Sequence, residues 1–211
     1  MPASKLKEYP QHMLFDGKIK PGSDLRLLFE RKAPIQMEIG SGKGTFLVSQ
    51  AKAFPDINFI GIEWASKFYR HAVDRMGRWG LKNVKMMRTD AAVFISEKIA
   101  DECIDMYHIY FPDPWPKKRH HKRRFFSVSN ALQMLRTLVP GGIINIATDH
   151  DGYFEQIQEV CTTLKAQGKI EIIEYIRPTG AKEGEYAGTN FERKYIKEGR
   201  SINAAAIQKI G

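Results

Sequence analysis

Five short apolar runs in this chain end at or near a carboxylate, and each gives way to a turn. They are Pro34 to Ile39 with Glu38, Asn58 to Glu63, Asn83 to Asp90, Cys103 to Tyr110 with Asp113 just beyond, and Ile143 to Asp149. Runs of this length, rich in Ile, Val and Met and bounded by turn residues, predict strands. Helical spacing fills much of what lies between. Thr45 to Ala53 is one such segment. Ser66 to Trp79 places Phe68, Ala72, Val73 and Met76 on one face and stops at Gly80. Ser127 to Val139 is closed by Pro140-Gly141-Gly142, and Tyr153 to Gln167 leads into a further strand over Lys169 to Ile176. Strands alternating with helices imply an α/β fold with a mostly parallel sheet covered on both faces. Strand ends then share one edge, where open sheets of this kind bind ligands. Glu38, Glu63, Asp90, Asp113 and Asp149 would line a single cleft. Any one of them could merely cap the following helix, but five clustered carboxylates repel unless a ligand or cation offsets them.

A length of 211 residues suffices for one α/β domain. We expect that domain over 34–211, preceded by an arm over 1–33 in which Ser23-Asp24 caps a short helix through Leu25, Leu27, Leu28 and Phe29. Arg177 to Gly188, rich in Gly, Lys and Glu, reads as a mobile loop before Thr189-Asn190-Phe191-Glu192 and a short final helix and strand. Met1-Pro2-Ala3-Ser4-Lys5 lacks the apolar stretch of a signal peptide, and no apolar run is long enough to span a membrane. Cys103 and Cys161 form neither a metal spacing nor a disulfide framework. These features lead us to expect a cytoplasmic protein without a metal.

Glycines at 40, 42 and 44 follow the first strand. Alternate glycines allow a tight turn and let the backbone approach a ligand, with the amides of the next helix facing it. The spacing is G-x-G-x-G, neither the G-x-G-x-x-G of dinucleotide-binding proteins nor a P-loop. Glu63 falls where an acid is expected to hydrogen-bond a ribose hydroxyl, and Asp90 could accept from an adenine amino group. An acid-lined cleft suits a nucleoside carrying positive charge better than a pyrophosphate. S-adenosylmethionine has those properties.

Phe111-Pro112-Asp113-Pro114-Trp115-Pro116 presents one carboxylate and one indole on a turn whose prolines restrict the backbone on both sides of Asp113. It runs directly into Lys117-Lys118-Arg119-His120-His121-Lys122-Arg123-Arg124, a phosphate-binding pattern. A net charge of +9 and a pI of about 9.5 likewise favour a polyanionic partner. His108 is expected in the core, and His120 and His121 to contact RNA or solvent.

The motifs Glu38-x-Gly40-x-Gly42-x-Gly44, Gly61-Ile62-Glu63, Asp90, Phe111 to Arg124, Thr148-Asp149 and Thr189-x-x-Glu192 occur in one order. That order resembles bacterial tRNA (guanine-N7-)-methyltransferases over about residues 34–196. The resemblance implies the class I methyltransferase fold and methyl transfer to a guanosine of the tRNA variable loop. It also implies S-adenosylmethionine contacts from Glu38, Glu63, Asp90 and Asp113, with Asp113 as the catalytic position. Lys117, Asp149 and the segment Thr189, Asn190, Phe191 and Glu192 correspond to the substrate side. The open alternatives are an amino-group methyltransferase, an RNA-binding module without catalysis and a dinucleotide oxidoreductase. Monomer and homodimer both remain open.

Overall fold

The computed structural model describes residues 6–211; Met1 to Lys5, the segment considered for a signal peptide, lie outside them. Eight strands form one sheet: β1 (Met13–Leu14), β2 (Ile35–Ile39), β3 (Asn58–Ile62), β4 (Val84–Met87), β5 (Ile104–Tyr110), β6 (Leu138–Thr148), β7 (Ile170–Ile173) and β8 (Asn203–Lys209). Their order is β1-β4-β3-β2-β5-β6-β8-β7. The pairs from β1 to β6 are parallel, and β8 runs antiparallel to both β6 and β7. From β2 the chain winds outward through β3 and β4, then returns to β5 on the other side. The crevice of such a sheet opens at that reversal, between the carboxyl ends of β2 and β5.

Strand alternation divides the core in two. Ile35, Met37, Tyr107, Ile109, Ile144 and Ile146 face α3 (Ala91–Glu97), α4 (Val128–Thr137) and α5 (Asp151–Ala166). Phe59, Val84, Met86 and Tyr110 face α1 (Thr45–Ala53) and α2 (Ser66–Arg78) through Phe46, Leu47, Ala72 and Met76. Burial on both faces explains why the central strands read as nearly continuous apolar runs. Side chains set the helix starts: Asp90 caps α3, Ser127 caps α4, and His150 caps α5 by accepting the Tyr153 amide. Asp24 caps its short 3₁₀ turn over Leu25–Leu28, as its position suggests.

Three features depart from expectation. α3 has no counterpart in the sequence pattern: it is seven residues long and its compact apolar run has no clear helical stripe. β6 begins at Leu138 rather than Ile143, because Pro140-Gly141-Gly142 is taken into the strand where its register against β5 shifts. The arm also supplies an edge strand, with Met13 and Leu14 pairing with Met86 and Met87.

Candidate active site

The glycine turn leaves β2 with Gly40, Gly42 and Gly44 all at positive φ. A Cβ at Gly44 would lie 3.0 Å from Ala72 Cβ, so this glycine lets α1 pack closely on α2. Glu63 fixes the turn from the next strand. Its carboxylate accepts from Gly42 N at 2.8 Å and from Ala65 N at 2.7 Å. Glu38, at the end of β2, is only 4% exposed, and its Oε2 has no hydrogen-bond partner among the described residues. Burial, reinforced by the nearby Glu63 charge, pushes its carboxyl up to about 8. Asp90 remains exposed while one of its oxygens accepts from Ala92 N and Val93 N.

Two adjoining cavities occupy the crevice. One, of about 330 Å³, is bounded by Glu38, Thr45 and Asn190; the other, of about 480 Å³, by Glu63, Asp90, Asp113 and Trp115. They share Gly40, Gly42, Phe68, Tyr110 and Phe191. Four of the five acids therefore meet as expected. Asp149 borders neither cavity; it is 11% exposed and paired with Arg200 at 2.7 Å.

The turn after β5 is bent more sharply than its prolines alone require. Phe111 and Trp115, on either side of Pro112-Asp113-Pro114, have φ of 52° and 44°. Left-handed backbone at non-glycine residues costs about 1–3 kcal/mol each and persists only where the surroundings enforce it. Here Phe111 N donates to Ala147 O at 2.8 Å, and the Phe111 ring packs on Tyr195. Asp113 itself is exposed, with no side-chain hydrogen bond among the described residues. Arg123 lies 5.0 Å over the Trp115 ring, and His120 meets that ring edge-on.

Lys118–Arg123 form a 3₁₀ turn, with Lys117, Lys118, Arg119, Lys122 and Arg123 exposed and His120 and His121 half-buried. Arg124 corrects the reading of this run as uniformly phosphate-facing. It is 4% exposed, and its guanidinium donates to Pro114 O, Gly152 O and Gln156 Oε1 while lying over Tyr153. With Nε and Nη1 committed to internal acceptors and the side chain buried, Arg124 is set apart from the exposed cations beside it.

The C-terminal segment reaches back over the glycine turn. α6 (Asn190–Lys197) is capped by Thr189, whose hydroxyl accepts from Glu192 N. Asn190 Nδ2 donates to Thr45 Oγ1 at 3.0 Å, and Phe191 borders both cavities. Glu192 is a second correction. It is 0% exposed, and its carboxylate accepts from the amides of Tyr186, Ala187 and Gly188, so it holds the segment together from within rather than facing a substrate. His108 is in the core as expected, between Tyr110 Oη and Gln36 Oε1 at 2.9 Å each. Burial pushes its pKa down to about 3, which keeps the imidazole neutral. Phe68 and Tyr110 join the site without having been singled out for it by sequence. Tyr110 alone carries a signal, as the last strand residue before the turn.

A buried acid with an unpartnered oxygen favours a ligand bringing positive charge or a donor. S-adenosylmethionine meets that condition and carries no phosphate to oppose Glu38, Glu63, Asp90 and Asp113. Among the described residues no cluster of His, Cys, Asp and Glu could hold a metal.

The switch-point crevice, the glycine turn and this acidic lining define a class I S-adenosylmethionine-dependent methyltransferase. Residues 32–205 match a family profile described as "Putative methyltransferase". The chain is 35% identical over 179 residues to the tRNA (guanine-N(7)-)-methyltransferase of Cronobacter sakazakii, covering 85% of this chain and 74% of that protein. It is 32% identical over 220 residues to the enzyme of the same name from Rhodopirellula baltica, covering 99% and 80%. Among solved structures, the antibiotic-resistance methyltransferase Kmr shares the fold, with a TM-score of 0.57 at 14% identity over 92% of this chain and 98% of that one. This chain belongs to the tRNA (guanine-N7-)-methyltransferase family.

Proposed function

We infer that this protein transfers a methyl group from S-adenosylmethionine to N7 of a guanosine in the variable loop of tRNA. When bound, S-adenosylmethionine supplies an electrophilic methyl group on its sulfonium. Glu38, the amides of the turn Gly40 to Gly44, Glu63 and Asp90 hold it, and Phe191 closes the space above the turn. Guanine N7 presents an in-plane lone pair and needs no deprotonation. The chemistry therefore asks for placement more than for a base. Asp113 supplies that placement: an exposed carboxylate on a strained, internally fastened turn, free to accept from guanine N1–H and N2–H and to favour the positive charge that N7 acquires. The exposed cations from Lys117 to Arg123 take the tRNA phosphates. Asp149 with Arg200 frames the substrate side, while Thr189 and Asn190, expected there too, border the Glu38 cavity.

The observation that carries this reading is the convergence of four acids on one crevice with a basic run at its rim. Among the described residues no helix is long and apolar enough to cross a membrane, which suits the cytoplasmic location we propose. Methylation of total tRNA with labelled cofactor, followed by nucleoside and position analysis, tests the inference. Label in 7-methylguanosine of the variable loop is expected; label in N6-methyladenosine or a methylated cytidine amine would transfer the site to the amino-group chemistry.

A further inference from the structure

The basic run ends in two arginines with opposite surroundings. Arg123 is exposed and lies over the Trp115 ring. Arg124 is buried, and its hydrogen bonds run inward. Its Nε donates to Pro114 O at 2.8 Å. That carbonyl belongs to the peptide joining Pro114 to Trp115, the residue held at φ 44°. Its Nη1 donates to Gly152 O at 2.8 Å and to Gln156 Oε1 at 3.1 Å, both in the first turns of α5. Gln156 is tied in turn by Nε2 donating to Phe126 O at 3.1 Å. The guanidinium is planar and rigid, so its two ends set a fixed distance between the groups they bind.

We propose that Arg124 is the positioning residue of methyl transfer: one guanidinium fastens the turn bearing Asp113 to the start of α5, three residues beyond Asp149. The proposal rests on Asp113 acting as inferred above. The strained turn supplies the need for such a fastening. Neither proline can donate a hydrogen bond to hold it, and Asp113 makes no side-chain hydrogen bond of its own among the described residues. Release of Pro114 O would let Trp115 relax toward ordinary backbone angles and carry Asp113 with it. Lysine at this position would keep the charge but could not span both carbonyls.

Arg124→Lys is therefore expected to lower the single-turnover rate at saturating cofactor and tRNA by about tenfold to a hundredfold, the scale of a small misplacement of a reacting group. Cofactor affinity, tRNA affinity and the salt dependence of tRNA binding should stay as in the unaltered protein. The decisive measurement is a double-mutant cycle with Asp113→Asn. If Arg124 acts through Asp113, most of the Arg124→Lys effect disappears in the Asp113→Asn background. Independent, additive effects overturn the proposal, as does a flatter salt slope, which would make Arg124 a phosphate-binding residue. A lowered melting temperature with an unchanged rate overturns it too, by reducing the residue to a structural one. Should Arg124→Lys fail to fold, Gln156→Met loosens the same fork from its far side, and the same cycle decides. Asp113→Asn alone separates the two readings: a near-normal rate there sinks the role of Asp113 itself, whereas a slow Asp113→Asn beside a normal Arg124→Lys sinks only the fastening.

Discussion

The two ends of the crevice are built on different principles. At the glycine end the acids are fixed in the protein: Glu63 bridges two backbone amides, Asp90 caps a helix, and Glu38 is buried with one oxygen left without a partner among the described residues. At the other end Asp113 and the cations from Lys117 to Arg123 stand in solvent, and what holds them lies underneath, in Arg124 and in the left-handed residues Phe111 and Trp115. A small cofactor suits the first arrangement, since a preformed site loses little entropy on binding. A large, flexible polyanion suits the second, because long-range charge collects it while one rigid group sets the geometry of reaction. The contrast teaches that one cleft can separate holding from aligning.

If that division is real, Asp113→Asn is the change that hurts most. The variant keeps the shape and one acceptor but loses the charge and turns a donor toward the guanine donors. Single-turnover methyl transfer at saturating substrates should fall by about 10²-fold or more, the scale for removing one preorganised electrostatic partner. Raising the pH should not restore it, because N7 has no proton to lose. A near-normal rate with a lowered melting temperature would make Asp113 a mere buttress of the turn.

Glu63→Ala and Asp90→Ala should act at the opposite end, on cofactor binding and only weakly on tRNA. Each removes an acceptor for a ribose or adenine donor of the cofactor, a loss of about 1–3 kcal/mol of binding apiece where the partner group is buried in the complex. Calorimetric titration with S-adenosylmethionine measures it; unchanged affinity in both variants would end the assignment of this cavity to a nucleoside.

The same contrast explains what was legible in the residues alone. The parallel sheet, its two-sided cover and the meeting of Glu38, Glu63, Asp90 and Asp113 follow from local patterns, because strand periodicity and turn residues act over a few positions. Arg124 and Glu192 differ from expectation for the opposite reason. Nothing local distinguishes Arg124 from Arg123, and only the packing of α5 against the turn buries one and leaves the other out. Glu192 sits in a polar segment, yet three amides from the preceding loop turn it inward. The antiparallel β8 and the arm's edge strand depend on pairings across long stretches of chain, which no window of sequence contains.

A milder change sharpens the outer half of the comparison. Neutralising Arg119, Lys122 and Arg123 together, and sparing the buried Arg124, should weaken tRNA binding without altering cofactor affinity. The log–log salt slope should flatten by roughly 0.7–0.9 for each phosphate that is no longer neutralised. Binding measured across a salt series gives that slope directly, and a slope equal to that of the unaltered protein would mark the run as a solvated loop.

The smallest expected effect tests the inner half through Glu38. Its carboxyl is pushed up to about 8 by burial and by Glu63, so in the free protein it is largely protonated at neutral pH. A net cationic ligand favours the ionised form, so binding is linked to loss of that proton. Because the free-state pKa is raised, affinity should increase as pH rises toward 8 and level off above it. For a single group the gain is roughly fivefold between pH 7 and pH 8 and about twofold over the next unit. Glu38→Gln mimics the protonated state and should bind weakly with a flat profile over the same range. Proton release measured in buffers of different ionisation enthalpy separates this from general effects of pH on the protein. If affinity in the unaltered protein is flat from pH 7 to 9 with no proton released, Glu38 is already ionised or does not face the cofactor, and the glycine end of the crevice owes its selectivity for positive charge to Glu63 and Asp90 instead.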